Sequence, residues 1–333
     1  MTAAADSASP SQGLVVALSG GIGGAKLALG LARTLAPERL MIVANTGDDF
    51  EHLGLSISPD LDTLMYTLAG QSDPERGWGR QGETWAFMAA LAALGGETWF
   101  QIGDGDLATH IERTRRLAAG ESLSQITDDF CRRLGVRPRI VPMSDDRVRT
   151  RVHTRAGWID FQDYFVRRRC EPEITALSFE GAEAAKPQPD VLRALRDAGL
   201  RTVIICPSNP FISVDPILAV PGMRDALRAC HAPVVAVSPI IGGRAVKGPT
   251  AKMMRELLLP TTAATVAQHY NGLLDGYVFD EQDAEDVAVP LATLRTRTLM
   301  RTLEDREELA RGVVAFADTL RTDRGAQRRV GRS

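Results

Sequence analysis

Residues Leu14–Leu35 read LVVALSGGIGGAKLALGLARTL, an apolar run, a glycine-rich turn and an amphipathic stretch in succession. The apolar run ends at Ser19. Four glycines follow it, at Gly20, Gly21, Gly23 and Gly24. Lys26 and a series of leucines then recur at helical spacing. This order predicts a strand, a turn and a helix N-terminus, the arrangement in which backbone amides bind a phosphate.

The spacing of these glycines separates the turn from two common phosphate-binding motifs. The dinucleotide fingerprint would need a third glycine where the chain has Lys26. A Walker A loop would need Ser or Thr after that lysine, and Leu27 stands there. The turn therefore predicts a bound phosphate but neither NAD nor a P-loop nucleotide; a tight turn without any ligand is the alternative.

The overall composition is that of an ordinary globular chain. Its 333 residues carry a net charge of −3, which gives no general attraction for nucleic acid. The four cysteines are scattered and form no CxxC pair, so we expect a reducing, cytoplasmic environment and no zinc ribbon. Because no apolar stretch is long enough to span a bilayer, we expect no membrane insertion.

Short apolar runs alternate with amphipathic segments along most of the chain. The runs predict strands at Leu14–Leu18, Leu40–Ala44, Thr98–Ile102, Thr202–Cys206, Val234–Val237 and Tyr277–Phe279. The amphipathic segments predict helices at Gly24–Leu35, Asp60–Ala69, Thr84–Leu94, Asp190–Ala198, Met223–Ala229 and Thr250–Leu258. This alternation predicts an α/β fold, a Rossmann-like parallel sheet covered by helices on both faces.

The alternation of apolar runs and amphipathic segments is interrupted between residues 104 and 186. Two close helical stretches are followed there by strand-like runs at Arg139–Val141, Val148–His153 and Trp158–Phe161, with a hairpin tip at 156–157. We interpret 104–186 as a smaller mixed helix and hairpin insertion, and 13–103 with 187–322 as the core. Residues 1–12 are expected to be a disordered leader, and 323–333 a frayed basic tail.

Acidic residues follow the second predicted strand, in the sequence Asn45-Thr46-Gly47-Asp48-Asp49. Ligands of open parallel sheets bind beyond the carboxyl ends of the strands, so this turn should lie beside the glycine turn. Two carboxylates next to a phosphate predict Mg²⁺. A simple Gly-Asp turn with a helix cap is the alternative.

A second acidic pair, Asp60 and Asp62, begins the helix predicted from residue 60. We expect Asp60 to cap that helix and Asp62 to face the site, where it would complete the metal shell or accept a hydrogen bond from a substrate hydroxyl.

Further polar groups follow other strands: Gly103–Asp106, with His110 four residues on, and Ser208-Asn209 between two prolines. The chain shows no arrangement typical of a covalent hydrolase, and GxSxG is absent.

These motifs together resemble the CofD/FbiA transferases of coenzyme F-420 biosynthesis. The segments that carry the resemblance run in order from about residue 14 to 280: SGGIGGAKLALGL, NTGDDFEHLGLSISPDLDTLMYTLAG, RGWG, ETW, GDGDLATHIERT, PMSDDRV, FQDYFVRRR, PSNPFISVDPIL and SPIIGGRAVKGP. Gly105 and Cys206 depart from the family pattern. The pairing of PDLDT with PSNP is far more specific than the glycine turn alone.

The resemblance implies a Mg²⁺-dependent phosphotransfer. A phospholactyl, phosphoenolpyruvyl or phosphoglyceryl group would pass from a guanosine diphosphate-linked donor to the ribityl hydroxyl of the deazaflavin Fo, with release of GMP. It also implies a homodimer. The different-class alternative is a non-catalytic regulator of related fold that binds nucleotide sugars, which would have no need of Asp48, Asp49 and Asp62.

The resemblance also implies roles for individual residues. Donor phosphates would be bound by Gly20, Gly21, Gly23, Gly24 and Lys26, and the guanosine by Ser208, Asn209 and Pro210. The metal would be bound by Asp48 and Asp49. The acceptor would be bound by Asp62, Thr63 and Gln101, with Asp62 and Asp49 as the catalytic carboxylates.

Overall fold

The structure is a computed structural model that describes residues 13–283 and 289–330. The predicted leader, residues 1–12, lies outside the described residues, as do residues 331–333 of the predicted tail. Residues 323–330 continue the last helix, and the expectation of a frayed basic tail stays a prediction.

Helices and strands alternate through most of this part of the chain. The helices are α1 (Gly21–Thr34), α2 (Pro59–Leu68), α3 (Ala86–Ala93), α4 (Asp104–Ala118), α5 (Leu123–Arg133), α6 (Pro189–Arg196), α7 (Asp215–Ala219), α8 (Met223–Ala229), α9 (Thr250–Glu256), α10 (Ala263–His269) and α11 (Leu303–Val330). The strands are β1 (Leu14–Ser19), β2 (Leu40–Ala44), β3 (Phe50–His52), β4 (Leu55–Ile57), β5 (Arg139–Pro142), β6 (Arg149–Thr154), β7 (Gly157–Asp160), β8 (Ile174–Glu180), β9 (Leu200–Ile205), β10 (Val234–Val237), β11 (Ile240–Ile241), β12 (Arg244–Ala245), β13 (Gly276–Asp280) and β14 (Ala292–Thr296).

Seven strands form one sheet in the order β14-β13-β10-β9-β1-β2-β5, and every pairing in it is parallel. The central strands β2, β9 and β10 are buried along their whole length, as expected for a sheet covered on both faces. The predicted α/β class and the parallel core are therefore confirmed.

Two apolar layers cover the faces of this sheet. Along β1, Val16 and Leu18 pack into the layer formed by α6, α7, α8 and α10. Val15 and Ala17 point to the opposite face, into the layer formed by α1, α2, α5 and α11. Successive residues of one strand thus contribute to two cores, which is why this run is apolar at every position.

Two strand predictions need correction. Arg139–Pro142, assigned above to the insertion, pairs with β2 and forms the edge of the main sheet. Thr98–Ile102 forms no strand, because β5 already occupies that edge and Trp99 and Phe100 pack instead against Phe50.

The rest of the predicted insertion forms a small unit beside the core. The two helical stretches are α4 and α5, and β6 pairs antiparallel with both β7 and β8. The β6–β7 hairpin turns at residues 155–156, next to Gly157, close to the predicted tip.

Gly30 fixes how closely α1 and α11 pack. A Cβ added at Gly30 would overlap the backbone carbonyl oxygen of Arg306 in α11, which has no room to retreat as a flexible side chain would. We expect Gly30→Ala to lower the free energy of unfolding by about 1–3 kcal/mol, although alanine favours helix. Gly312→Ala is the matched control, since a Cβ there meets no atom within 4 Å. Denaturant melts of the two variants that gave equal stability would contradict this packing.

Candidate functional site

The carboxyl ends of β1, β2, β9 and β10 open into a cavity of about 530 Å³. Most residues singled out by the sequence line it: Gly20, Gly21, Gly23, Lys26, Asp48, Asp62, Thr63, Gln101, Ser208 and Asn209. Gly24, Asp49 and Pro210 do not line the cavity and lie buried behind its wall. The expectation that strand-end loops converge at one edge is met by these positions.

The glycine turn forms one end of the cavity, but its first amides already have partners. The N–H of Gly20 donates to Oγ of Ser208 at 3.1 Å, and the N–H of Gly21 donates to Oδ1 of Asp60 at 2.6 Å. Helix geometry leaves the amides of the next residues, Ile22 and Gly23, without intrahelical acceptors, and both residues border the cavity. These two amides are the ones available to a phosphate.

Glycine is required at two positions of this turn. Gly21 has φ +64°, a left-handed conformation that side chains disfavour. A Cβ at Gly23 would overlap the carbonyl oxygen of Pro207, so only glycine lets α1 begin this close to the loop after β9.

The sequence analysis expected Asp60 to cap its own helix, α2, and this expectation is wrong. Its Oδ1 accepts from Gly21 at the start of α1, and its Oδ2 accepts from Nδ2 of Asn45 at 3.0 Å. The same Asn45 nitrogen donates to Oδ1 of Asp48 at 3.1 Å. One amide therefore holds two carboxylates together beside the glycine turn, and both carboxylates line the cavity.

Burial raises the pKa of both of these carboxylates, and neighbouring negative charges add to the rise at Asp48. Burial, followed by the charges of Asp60 and Asp49, raises the pKa of Asp48 well above its usual range. Burial raises the pKa of Asp60 to about 6, against the hydrogen bonds from Asn45 and Gly21. Two buried carboxylates held side by side form a donor set that suits a hard divalent ion such as Mg²⁺. The residues present therefore fit a metal held by Asp48 and Asp60.

Asp49 points away from this pair. Its Oδ2 accepts from Oγ of Ser58 at 2.8 Å, whereas its Oδ1 is buried without a hydrogen-bond partner. Burial raises its pKa to about 7, partly offset by Arg149. The structure thus pairs Asp48 with Asp60 rather than with its sequence neighbour.

Asp62, two residues after Asp60 in α2, forms a two-point ion pair with Arg113 of α4. Nη1 of Arg113 lies 3.1 Å from Oδ2 of Asp62 and 3.3 Å from Nδ1 of His110. Burial raises the pKa of Asp62, and Arg113 opposes that rise. The guanidinium makes Asp62 a weaker base than an equally buried carboxylate without a cation would be, which bears on the role predicted for Asp62.

Aromatic side chains form another part of the cavity wall, which we call its aromatic half. Its lining there includes Trp78, Trp99, Phe100, Phe161 and Phe165. Trp78 and Phe165 are among the exposed large apolar residues of the described chain, at 42% and 39% exposure. Such walls suit a flat aromatic ligand.

Sequence reasoning missed several residues of the site. Asn45 and Arg113 were not proposed, and Asp60 was given the wrong role. Asn45 was the first residue after β2, a position that could have pointed to it. Nothing in the sequence signals Arg113, because its contact with Asp62 spans 51 positions.

The family model and the curated relatives agree on one family. The model described as "2-phospho-L-lactate transferase CofD" matches residues 15–315. A phosphoenolpyruvate transferase from Kitasatospora aureofaciens is 43% identical over 320 residues, 92% of this chain and 98% of that protein. Its namesake from Streptomyces coelicolor is 42% identical over 92% of this chain and 99% of its own. The one from Mycobacterium tuberculosis is 39% identical over 86% and 93%.

Among solved structures, a member of the UPF0052 family from Bacillus halodurans matches with a TM-score of 0.62. It covers 91% of this chain and 99% of its own at 14% identity, so the likeness concerns the fold alone. Within residues 13–283 and 289–330, no helix is both long and apolar enough to cross a membrane.

The Asp48–Asp60 pair predicts how the protein responds to Mg²⁺. Mg²⁺ in excess should raise the Tm of the wild type by about 3–8 °C, because it binds the folded state alone. In chelator, Asp48→Asn should melt at or above the wild-type Tm, since one of two like charges is gone; it should lose the response to Mg²⁺. Asp225→Asn, at an exposed carboxylate, is the control and should respond as wild type. A full Mg²⁺ response in Asp48→Asn would place the metal elsewhere.

Proposed function

Because the chain belongs to the family of 2-phospho-L-lactate transferase CofD, we propose that it transfers a phospho-(three-carbon acid) group from a guanosine diphosphate-linked donor to Fo, releasing GMP, in coenzyme F-420 biosynthesis. Phosphoenolpyruvate is the acid we propose first, on the strength of the relatives' names. The observation that carries the proposal is the pair Asp48 and Asp60 beside the glycine turn. The homodimer and the cytoplasmic location stay predictions.

The donor would lie along the glycine turn. The amides of Ile22 and Gly23 and the positive end of α1 would bind its diphosphate. Lys26, which lines the same end, has its pKa lowered by burial and by the neighbouring cations Arg306 and Lys247. Anionic phosphates bound there would offset the repulsion among these three positive charges. Ser208 and Asn209, on the adjacent wall, would contact the guanosine.

A bound Mg²⁺ would neutralise phosphate charge and orient the diphosphate for in-line attack. Asp48 and Asp60 are the residues that would hold it, and Asn45 keeps their carboxylates side by side. Asp49 lies behind them, where its contact with Ser58 fixes the start of α2.

The acceptor would lie in the aromatic half. Its ring would pack between Trp99, Phe100 and Phe165, and its ribityl chain would extend along α2 toward the glycine turn. Asp62, Thr63 and Gln101 line that path. The α2 helix therefore borders both substrates, with Asp60 at the donor and Tyr66 at the acceptor.

In the reaction, the acceptor hydroxyl oxygen would attack the phosphorus that bears the three-carbon acid. The bond from that phosphorus to the bridging oxygen of GMP would break, and GMP would leave. The hydroxyl proton would pass to a carboxylate of the site; Asp62 is the residue proposed from the sequence, and it would accept the proton after release from Arg113. The chain's main contribution would be alignment of the two substrates and exclusion of water.

Mass spectrometry of a reconstituted reaction tests this function. Purified protein, Fo, Mg²⁺ and each guanosine diphosphate-linked acid should give the phosphodiester-extended deazaflavin and an equal amount of GMP. Asp48→Asn should give no product while Asp225→Asn retains full activity. Tight binding of a nucleotide sugar without turnover of any of these donors would favour the regulator instead.

Gly23→Val should weaken GDP binding by at least about 10-fold and leave Fo binding unchanged, because a side chain there overlaps the carbonyl oxygen of Pro207 and displaces the amides of the first turn of α1. Separate calorimetric titrations with GDP and Fo measure both affinities. Because of this overlap, the Tm must first show that the variant is folded. Unchanged GDP affinity in a folded variant would move the phosphate site away from this turn.

A further inference from the structure

Asp106 in α4 is a second carboxylate of the proposed acceptor site. Its surroundings differ from those of Asp62. Its side chain is 12% exposed and lines the cavity. Tyr66 and His110 also border the cavity, but each is only 1% exposed. Asp106 is therefore the most accessible of the three to a ligand, and the other two contact its carboxylate.

The supporting contacts approach Asp106 from two sides. Tyr66 donates its hydroxyl proton to Oδ1 of Asp106 at 2.7 Å. Nε2 of His110 lies 3.3 Å from Oδ2, a close electrostatic contact without hydrogen-bond alignment. Because Nη1 of Arg113 can only donate to Nδ1 of His110, the proton of a neutral His110 is assigned to Nε2, facing Asp106.

A metal ion among Asp62, Asp106 and His110 is the alternative use of these side chains, since their ligand atoms lie within 4.8 Å of one another. The geometry argues against it. The guanidinium of Arg113 contacts both oxygens of Asp62 and Nδ1 of His110, and its charge would repel a cation placed beside them. Arg113 already supplies the positive charge to Asp62.

The two carboxylates therefore differ in what they can offer a ligand. Both oxygens of Asp62 face the guanidinium of Arg113. Each oxygen of Asp106 has one protein contact and keeps a lone pair for a further donor. Although burial opposes it, the contacts from His110 and Tyr66 lower the pKa of Asp106, so it stays ionised at neutral pH.

The distance from Asp106 to Asp62 indicates which part of the acceptor Asp106 meets. The reacting hydroxyl would lie beside Asp62, the proposed proton acceptor. A carboxylate oxygen of Asp106 lies within 4.8 Å of one of Asp62, so Asp106 can reach a neighbouring hydroxyl further along the chain.

We propose that Asp106 binds an inner hydroxyl of the acceptor's polyol chain and that His110 and Tyr66 are the positioning residues that orient its carboxylate. This proposal rests on the proposed function. It makes Asp106 a determinant of acceptor specificity, which distinguishes a polyhydroxylated chain from a plain alkyl chain of equal length.

Two acceptors test this role: Fo, and the same ring with a 5-hydroxypentyl chain, which keeps the reacting hydroxyl and lacks the inner ones. Wild type should favour Fo by about 10- to 100-fold in kcat/KM, the usual range for a hydrogen bond to a charged group. Asp106→Asn should lose most of this preference, through acceptor KM rather than donor KM. Tyr66→Phe and His110→Gln should lose part of it.

Glu112→Gln, on the exposed side of the same helix, is the matched control and should keep the wild-type preference. Tm and GDP affinity show whether each variant is folded, since a purely structural role would lower activity on both acceptors alike. An unchanged preference in folded Asp106→Asn, or an equal loss on both acceptors, would overturn the proposal. Absence of transfer to Fo by wild type would instead refute the proposed function, and titration of both acceptors would still test Asp106.

Discussion

The site depends on the side-chain amide of Asn45, which holds two buried carboxylates next to each other. The charge of Asp60 raises the pKa of Asp48, and the hydrogen bonds from Asn45 to both carboxylates offset part of this repulsion. Asp60 also accepts a hydrogen bond from the N–H of Gly21, and this second contact fixes where α1 begins. The acidic pair and the phosphate-binding turn are therefore parts of one hydrogen-bonded unit.

Much of the fold follows from local patterns in the sequence. The run Leu14–Leu18 and its helix were predictable because a doubly covered parallel strand is apolar at each position. The strand predicted at Thr98–Ile102 is absent from the structure. Two aromatic residues there match the strand pattern, but they pack into a separate cluster with Phe50. The edge strand at Arg139–Pro142 was seen but misassigned, since a sequence does not say which strand it will pair with.

The location of the site was predictable from the sequence, whereas the contacts between its side chains were less so. Parallel topology brings Gly20, Asp48 and Ser208 to one edge wherever their strands are, so spacing and residue type suffice. Which carboxylate faces which depends on rotamers and on contacts between distant segments. The links from Gly21 to Asp60 and from Asp62 to Arg113 span 39 and 51 positions, beyond the reach of a local pattern.

The central claim is that Asp48 and Asp60, and not Asp48 and Asp49, hold a divalent ion beside the glycine turn. A crystal grown with GDP and Mn²⁺ tests it through the anomalous signal of manganese. The account predicts a peak within about 2.3 Å of one carboxylate oxygen from each of Asp48 and Asp60, in contact with a diphosphate oxygen. A peak bound by Asp49, or one lying between Asp62 and Asp106, would contradict it.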